Sequence, residues 1–539
     1  MKAGRRLGLL LLVLAAACGK KEIVPGPPDA AEARLRSIDV KQSSLVLPEG
    51  GSVQLSFSVK DPDFVFSELL LQTGSGAAPE EFFLQDFGPA AETGGYTATL
   101  RDAGLGKSYE RQVCLSIVQR HPETGTESFV SSAFFKVASE VQGLDTGLPL
   151  VYVDTGDGQD ILSKTDYKDA SLSIVGRGGY PGLQSVACSI RGRGNTTWTW
   201  PKKPYLIKLE QKESVLGLSK HKRWVLLANF MDRTLMRNLV SMKVSSLTAL
   251  DWTPNCVPVE LVLNGKHQGS YLLIEQVRVD KNRVPVTEMT PEDNDGEALT
   301  GGYLLELDFH YDNEIQWTDP NGHNHQWGSG VPFGIKYPDP DEITPAQVSY
   351  IKSYVSAAAN TLYGPAFADP ENGYAKYLDV DSFVDYWLVF EVMCNHELGN
   401  PGSVYLHKDR GGKLTAGPCW DFDWGVLSFY TSPGEYALVN EKAIWYERLF
   451  QDPAFRARVR ARFQELLPQL ETIPAYMDAC EALLAESARL NFQLWNPADD
   501  RSQNGGNIIN GDENLSFHAA VARLKDNYRR HLQVIGERL

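Results

Sequence analysis

The chain has 539 residues, 42% of them apolar and 22% charged, with a formal net charge of −16. That length exceeds one hydrophobic core and suits two or three domains. So acidic a surface argues against general affinity for nucleic acid or anionic lipid.

At the N-terminus, Lys2, Arg5 and Arg6 precede an apolar run from Leu7 to Leu14, followed by Ala15, Ala16, Ala17 and Cys18. This is the layout of an export signal. A cysteine directly after small residues resembles a lipobox, so residues 1–18 are expected to be a lipoprotein signal with Cys18 the lipidated residue. Residues 19–35, with Pro25, Pro27 and Pro28, read as a tether. No later apolar stretch is long enough to span a bilayer. The expectation is an exported protein held to a membrane by its lipid alone, facing the periplasm or the cell exterior. The six remaining cysteines are scattered in apolar contexts without a C-x-x-C pair, which favours buried free thiols over a zinc site.

From 36 to 140 the pattern alternates with period 2 between Gly, Pro and Asp turns, as in "SVQLSFSVKD" and "RQVCLSIVQRH". This predicts a small all-β immunoglobulin-like sandwich. A second domain, 145–539, opens with strands at "LPLVYVDT", "SLSIVG", "ACSIRGRGN", "PYLIKLE" and "RWVLLANF". Asp232 is expected to cap a following helix. Asn264-Gly265 marks a hairpin. "GGYLLELD" is a further strand, and 310–330 reads as a polar aromatic loop. After about 340, 3.6-residue periodicity dominates, notably in "TPAQVSYIKSYVSAAANTLYG" and "DVDSFVDYWLVFEVMCN". A strand-rich lobe to about 310 and a helical lobe after about 340 make an α+β arrangement.

Three segments carry candidate chemistry. "RGRGNTTW" combines Arg191 and Arg193 with a glycine turn whose amides can approach phosphate, and Lys208 ends the strand pattern "YLIK". Asn395, His396, Glu397 and Asn400 stand where a helix breaks, either as capping groups or as a loop carrying a base. "GPCWDFDWG" sets Asp421 and Asp423 one residue apart, and two such oxygen donors suit magnesium, which keeps several waters. An early strand lysine followed by a helix, a polar loop, a hairpin and an aspartate turn is also the order of phosphoryl-transfer groups in protein kinases.

These segments, with "WVLLANFMDRTLMRN" and "VELVLNGKHQGSYLLIEQV", resemble the CotH kinase family in kind and order over roughly 148–500. The resemblance implies an atypical protein-kinase-like two-lobed domain that binds ATP and Mg2+ and phosphorylates protein hydroxyls. It implies that Asp421, helped by Asp423, holds magnesium. Lys208, Arg191, Arg193 and Asn195 would line the phosphate end, and Glu397 would take the place of the catalytic-loop aspartate. The sequence departs from the kinase pattern in lacking a helical Glu for Lys208, leaving Glu210, Asp232, Glu260 or Glu275 to serve. The competing reading is a non-catalytic surface binding protein or adhesin on a degenerate kinase-like fold. The protein substrate or surface partner is not named by the sequence.

Overall fold

The structure, a computed structural model, describes residues 46–48, 52–58, 65–73, 82–89, 95–102, 111–125, 127–140, 144–310, 314–324, 328–428, 437–496, 510–512 and 514–539. Up to residue 140 only the backbone is described, apart from 121–125. Cys18, the signal and the tether lie outside the described residues. Between Val46 and Glu140 the chain forms seven strands in sheets of four and three. Two of these strands, Val65–Thr73 and Phe82–Pro89, were not distinguished in the sequence. The side chains that would define an immunoglobulin-like core there lie outside the described set.

The next seven strands close into a barrel. Around it run Leu183–Gly192, Tyr205–Glu213, His221–Leu227, Lys266–Glu275, Cys256–Leu263, Leu150–Thr155 and Lys168–Val175. Closure removes both sheet edges. Alternation fills the interior: Tyr205, Ile207 and Leu209 point inward with Val151, Ile190, Trp224, Leu261 and Leu273. On the outer face Leu206 and Val225, with Leu272 and Ile274, join the core of the second lobe. The Asn264-Gly265 hairpin forms as expected, with φ of 49° and 74° at the two turn residues.

The second lobe is less helical than its periodicity suggests. It carries a five-stranded sheet in the order Gln316–Asp319, Val331–Tyr337, Tyr303–Leu307, Val404–Lys408 and Leu414–Ala416. "VPFGIKY" hides its strand because Pro332 and Gly334 lower β propensity, and pairing on both sides supplies what propensity does not. Helices Pro345–Tyr363, Val380–Val392, Pro453–Leu470, Ile473–Leu494 and Phe517–Arg538 pack around this sheet. Thr344 and Gln347 form a capping box at the first of them. Among the described residues no helix is long and apolar enough to cross a membrane. Among the described residues Cys188, Cys256, Cys394, Cys419 and Cys480 are not joined in disulfides, and all but Cys256 are buried.

Asp232 does not cap its helix as expected. The helix is Arg237–Ser245, with Met236 at the cap position. The Asp232 carboxylate instead accepts from Thr234 N at 2.9 Å and Arg237 N at 2.8 Å, and it pairs with the Arg237 guanidinium. A buried carboxylate with a cation in reach is stabilised more by that pairing than by a single cap bond.

Candidate active site

The aspartate loop is shaped by the aromatic residue between its acids. Phe422 is buried, its ring 4.7 Å from Phe390, and its backbone N–H donates to Asn238 Oδ1 at 2.8 Å. Fixing Phe422 inward leaves Asp421 and Asp423 half-buried on either side of it. Asp421 has φ of 64°, a left-handed conformation uncommon outside glycine. Gly425, with φ of 70°, sits so close to His396 that an added Cβ would lie 2.7 Å from its ring Cε1. Gly425→Ala is therefore expected to lower the melting temperature and displace the His396 loop, a change that thermal denaturation and histidine NMR shifts would detect.

That contact brings the helix-break loop beside the aspartates. Asn395 Oδ1 accepts from Glu397 N at 2.9 Å, starting a single 3-10 turn, His396–Leu398. Asn440 Nδ2 donates to Asn395 O at 2.9 Å, and Glu391 accepts from Val439 N and Asn440 N at 2.8 Å each. Glu397 is half-buried and feels the charges of Asp421, Asp423 and Asp308.

Two further acids come from "YLLELD", where the sequence had suggested only a strand. Glu306 and Asp308 lie two residues apart at the end of Tyr303–Leu307, so their side chains leave the sheet on one face. Glu306 accepts from Tyr405 OH at 2.6 Å and pairs with Lys336 at 3.0 Å. Asp308 pairs with His310 Nδ1 at 2.9 Å and accepts from Ser403 N at 3.3 Å. The available signal was the alternation itself: two acids at i and i+2 in an otherwise apolar strand.

Of the predicted phosphate groups, Arg193 is the one brought to the acids. Its guanidinium lies 5.6 Å from the Trp420 ring centroid, and its charge acts on both Asp421 and Asp423. Arg191 is turned elsewhere, donating to Lys164 O and to Gly192 O at 3.0 Å and lying 5.2 Å from the Tyr167 ring centroid. Asn195 Oδ1 accepts from Lys164 Nζ at 3.1 Å, so these two residues brace a loop corner. Lys208 is exposed on the outer barrel face, opposite Ser189 and Arg223 in register. Three of the four acids considered as its partner are engaged otherwise: Asp232 with Arg237, Glu260 with His267 and Glu275 with Asn255.

Electrostatically the site is short of positive charge. Burial raises the Asp421 pKa, against the lowering effect of Arg193. Burial, then Asp421 and Asp232, hold the Asp423 pKa well above the usual carboxylate range. Burial and the neighbouring carboxylates do the same to Glu397. Among the described residues no group of three or more His, Cys, Asp or Glu side chains is arranged to hold a metal ion. Two carboxylates whose charges are penalised together do fit a hydrated divalent cation, which needs one or two carboxylates and retains waters.

In this α+β protein a barrel lobe supplying a cation is set against a second lobe supplying paired acids and a third carboxyl on a loop. The model of the family described as CotH kinase protein matches residues 190–535, well over half the chain, and the chain belongs to that family. No curated protein and no solved structure matches it.

Proposed function

We propose that this protein is an exported atypical kinase that transfers the γ-phosphoryl group of ATP to a serine or threonine hydroxyl of a protein partner, with Mg2+. The observation that carries this reading is the convergence of Asp421, Asp423 and Glu397 opposite Arg193. Asp421 and Asp423 would hold the cation, which neutralises phosphate charge when bound. Arg193 contacts the phosphates from the barrel side. Arg191 and Asn195 support the loop that carries Arg193. The acceptor oxygen bonds to the γ-phosphorus as the bond to the β,γ-bridging oxygen breaks. ADP leaves with that electron pair, and the hydroxyl proton passes to Glu397. A carboxyl whose proton affinity is raised by burial and by neighbouring acids is the stronger base. Lipidation of Cys18 would place this chemistry on a membrane surface outside the cytoplasm.

The test is Mg2+-dependent ATP binding and phosphate incorporation by the purified protein beside Glu397→Gln. The variant is expected to bind ATP as the native protein does and to transfer phosphate about 10²–10⁴-fold more slowly. Failure of the native protein to bind nucleotide would overturn the kinase reading and favour a surface binding protein.

A further inference from the structure

Asp421 and Asp423 stand on either side of the buried Phe422, so their loop backbone must be held in place for both carboxylates to reach one cation. The restraint comes from a distant part of the sequence, "NIINGDEN", which by composition reads as a polar connection before the last helix. Asn510 is fully buried. Its Nδ2 donates to Asp423 O at 3.1 Å and to Met231 O at 2.9 Å, and its Oδ1 accepts from Gly425 N at 3.0 Å. One side chain thus grips the loop on both sides of Trp424 and ties it to Met231, just beyond the barrel strand His221–Leu227. Two residues later Asp512, also buried, accepts from Arg237 Nη2 at 2.7 Å, and Arg237 Nε donates to Val426 O at 2.8 Å. The loop is therefore held at residues 423, 425 and 426 by one connected set of bonds.

The choice of amide is informative. The position needs two donors for two carbonyl oxygens and one acceptor for an N–H, which asparagine alone among small side chains supplies. Aspartate has the same shape but turns acceptors toward both carbonyls and adds charge beside an acidic cluster.

We infer that Asn510 is a positioning residue for the divalent-cation site, fixing the backbone of the Asp421–Asp423 loop so that both carboxylates are held toward one cation. The inference rests on the reading that these aspartates hold the cation. Groups that orient metal-binding side chains are worth about 10–100-fold in metal affinity.

The experiment titrates the full chain with Mn2+, read by electron paramagnetic resonance, for the native protein, Asn510→Ala and Asn510→Asp. Asn491→Ala serves as a control for loss of a buried amide. Asn491 bonds Lys202 Nζ at 2.8 Å and Ser270 N at 3.2 Å, away from the aspartate loop. Both Asn510 variants are expected to bind Mn2+ about 10–100-fold more weakly, whereas Asn491→Ala lowers the melting temperature with affinity held within about twofold. If Asn510→Ala does not fold, the isosteric Asn510→Asp gives the reading. Native affinity in a folded Asn510 variant, or an equal loss in Asn491→Ala, overturns the inference while leaving the kinase reading intact. Absence of Mn2+ binding in the native protein overturns both.

Discussion

Asp421→Asn is expected to lose phosphate transfer by about 10²–10³-fold or more and yet to melt at a higher temperature than the native protein in metal-free buffer. Both effects have one origin. Asp421 is half-buried beside Asp423; burial opposes both charges, and the Asp421 charge raises the Asp423 pKa further. Removing one charge relieves the other, so the fold gains what the reaction loses. The sign follows from proton linkage. Asp423 and Glu397 have folded-state pKa values raised well above their ordinary ones. From about pH 4, where unfolded carboxyls ionise, up to the raised folded values, the folded protein binds more protons than the unfolded chain. Metal-free stability therefore falls as pH rises through that window, and it falls less steeply in Asp421→Asn. Melting temperatures from pH 4 to 8 in EDTA, repeated with Mg2+, test this. A native protein that gains stability across the window, or a variant less stable than native at pH 8 without metal, would show that the acids are not in conflict.

The sequence disclosed the ends of this site better than its frame. "GPCWDFDWG" and Glu397 were legible because acids and glycines there interrupt strongly apolar segments. Arg193 was legible only as one of several basic residues. Nothing in the local pattern separates it from Arg191, since only folding shows that one faces Trp420 and the other Tyr167. Lys208 illustrates the converse. Strand alternation places it on the outer face, but alternation carries no information about which stretch of that face the second lobe covers. Leu206, two residues earlier, is buried there while Lys208 is exposed. Closure of the barrel was equally hidden, because it depends on the parallel pairing of Leu150–Thr155 with Cys256–Leu263, more than a hundred residues apart. Asn510 and Asp512 lay in a polar run whose composition speaks only of a loop. Their role comes from long-range hydrogen bonds that no periodicity marks.

Arg237→Met is expected to cost about 3–5 kcal/mol of stability, a substitution with a large effect that touches neither aspartate of the site. Arg237 is 2% exposed and pairs with two carboxylates at least as buried, Asp232 and Asp512. It also donates through Nε to Val426 O at 2.8 Å. Methionine fills much of the same volume, so the loss is not chiefly one of packing. What remains are two buried acids without their cation, and the cost of an unpaired buried charge exceeds the net worth of the pair it came from. Urea unfolding measures the size of the loss. Adding Asp512→Asn to Arg237→Met removes one stranded charge and should recover part of the loss, which separates charge from shape. A single variant within about 1 kcal/mol of native would mean that water reaches the triad and that its charges are solvated. If the expected loss is found, the triad stabilises the fold and the metal loop together: the guanidinium that neutralises Asp232 also holds Val426, three residues from Asp423, and Asp232 is among the charges that raise the Asp423 pKa.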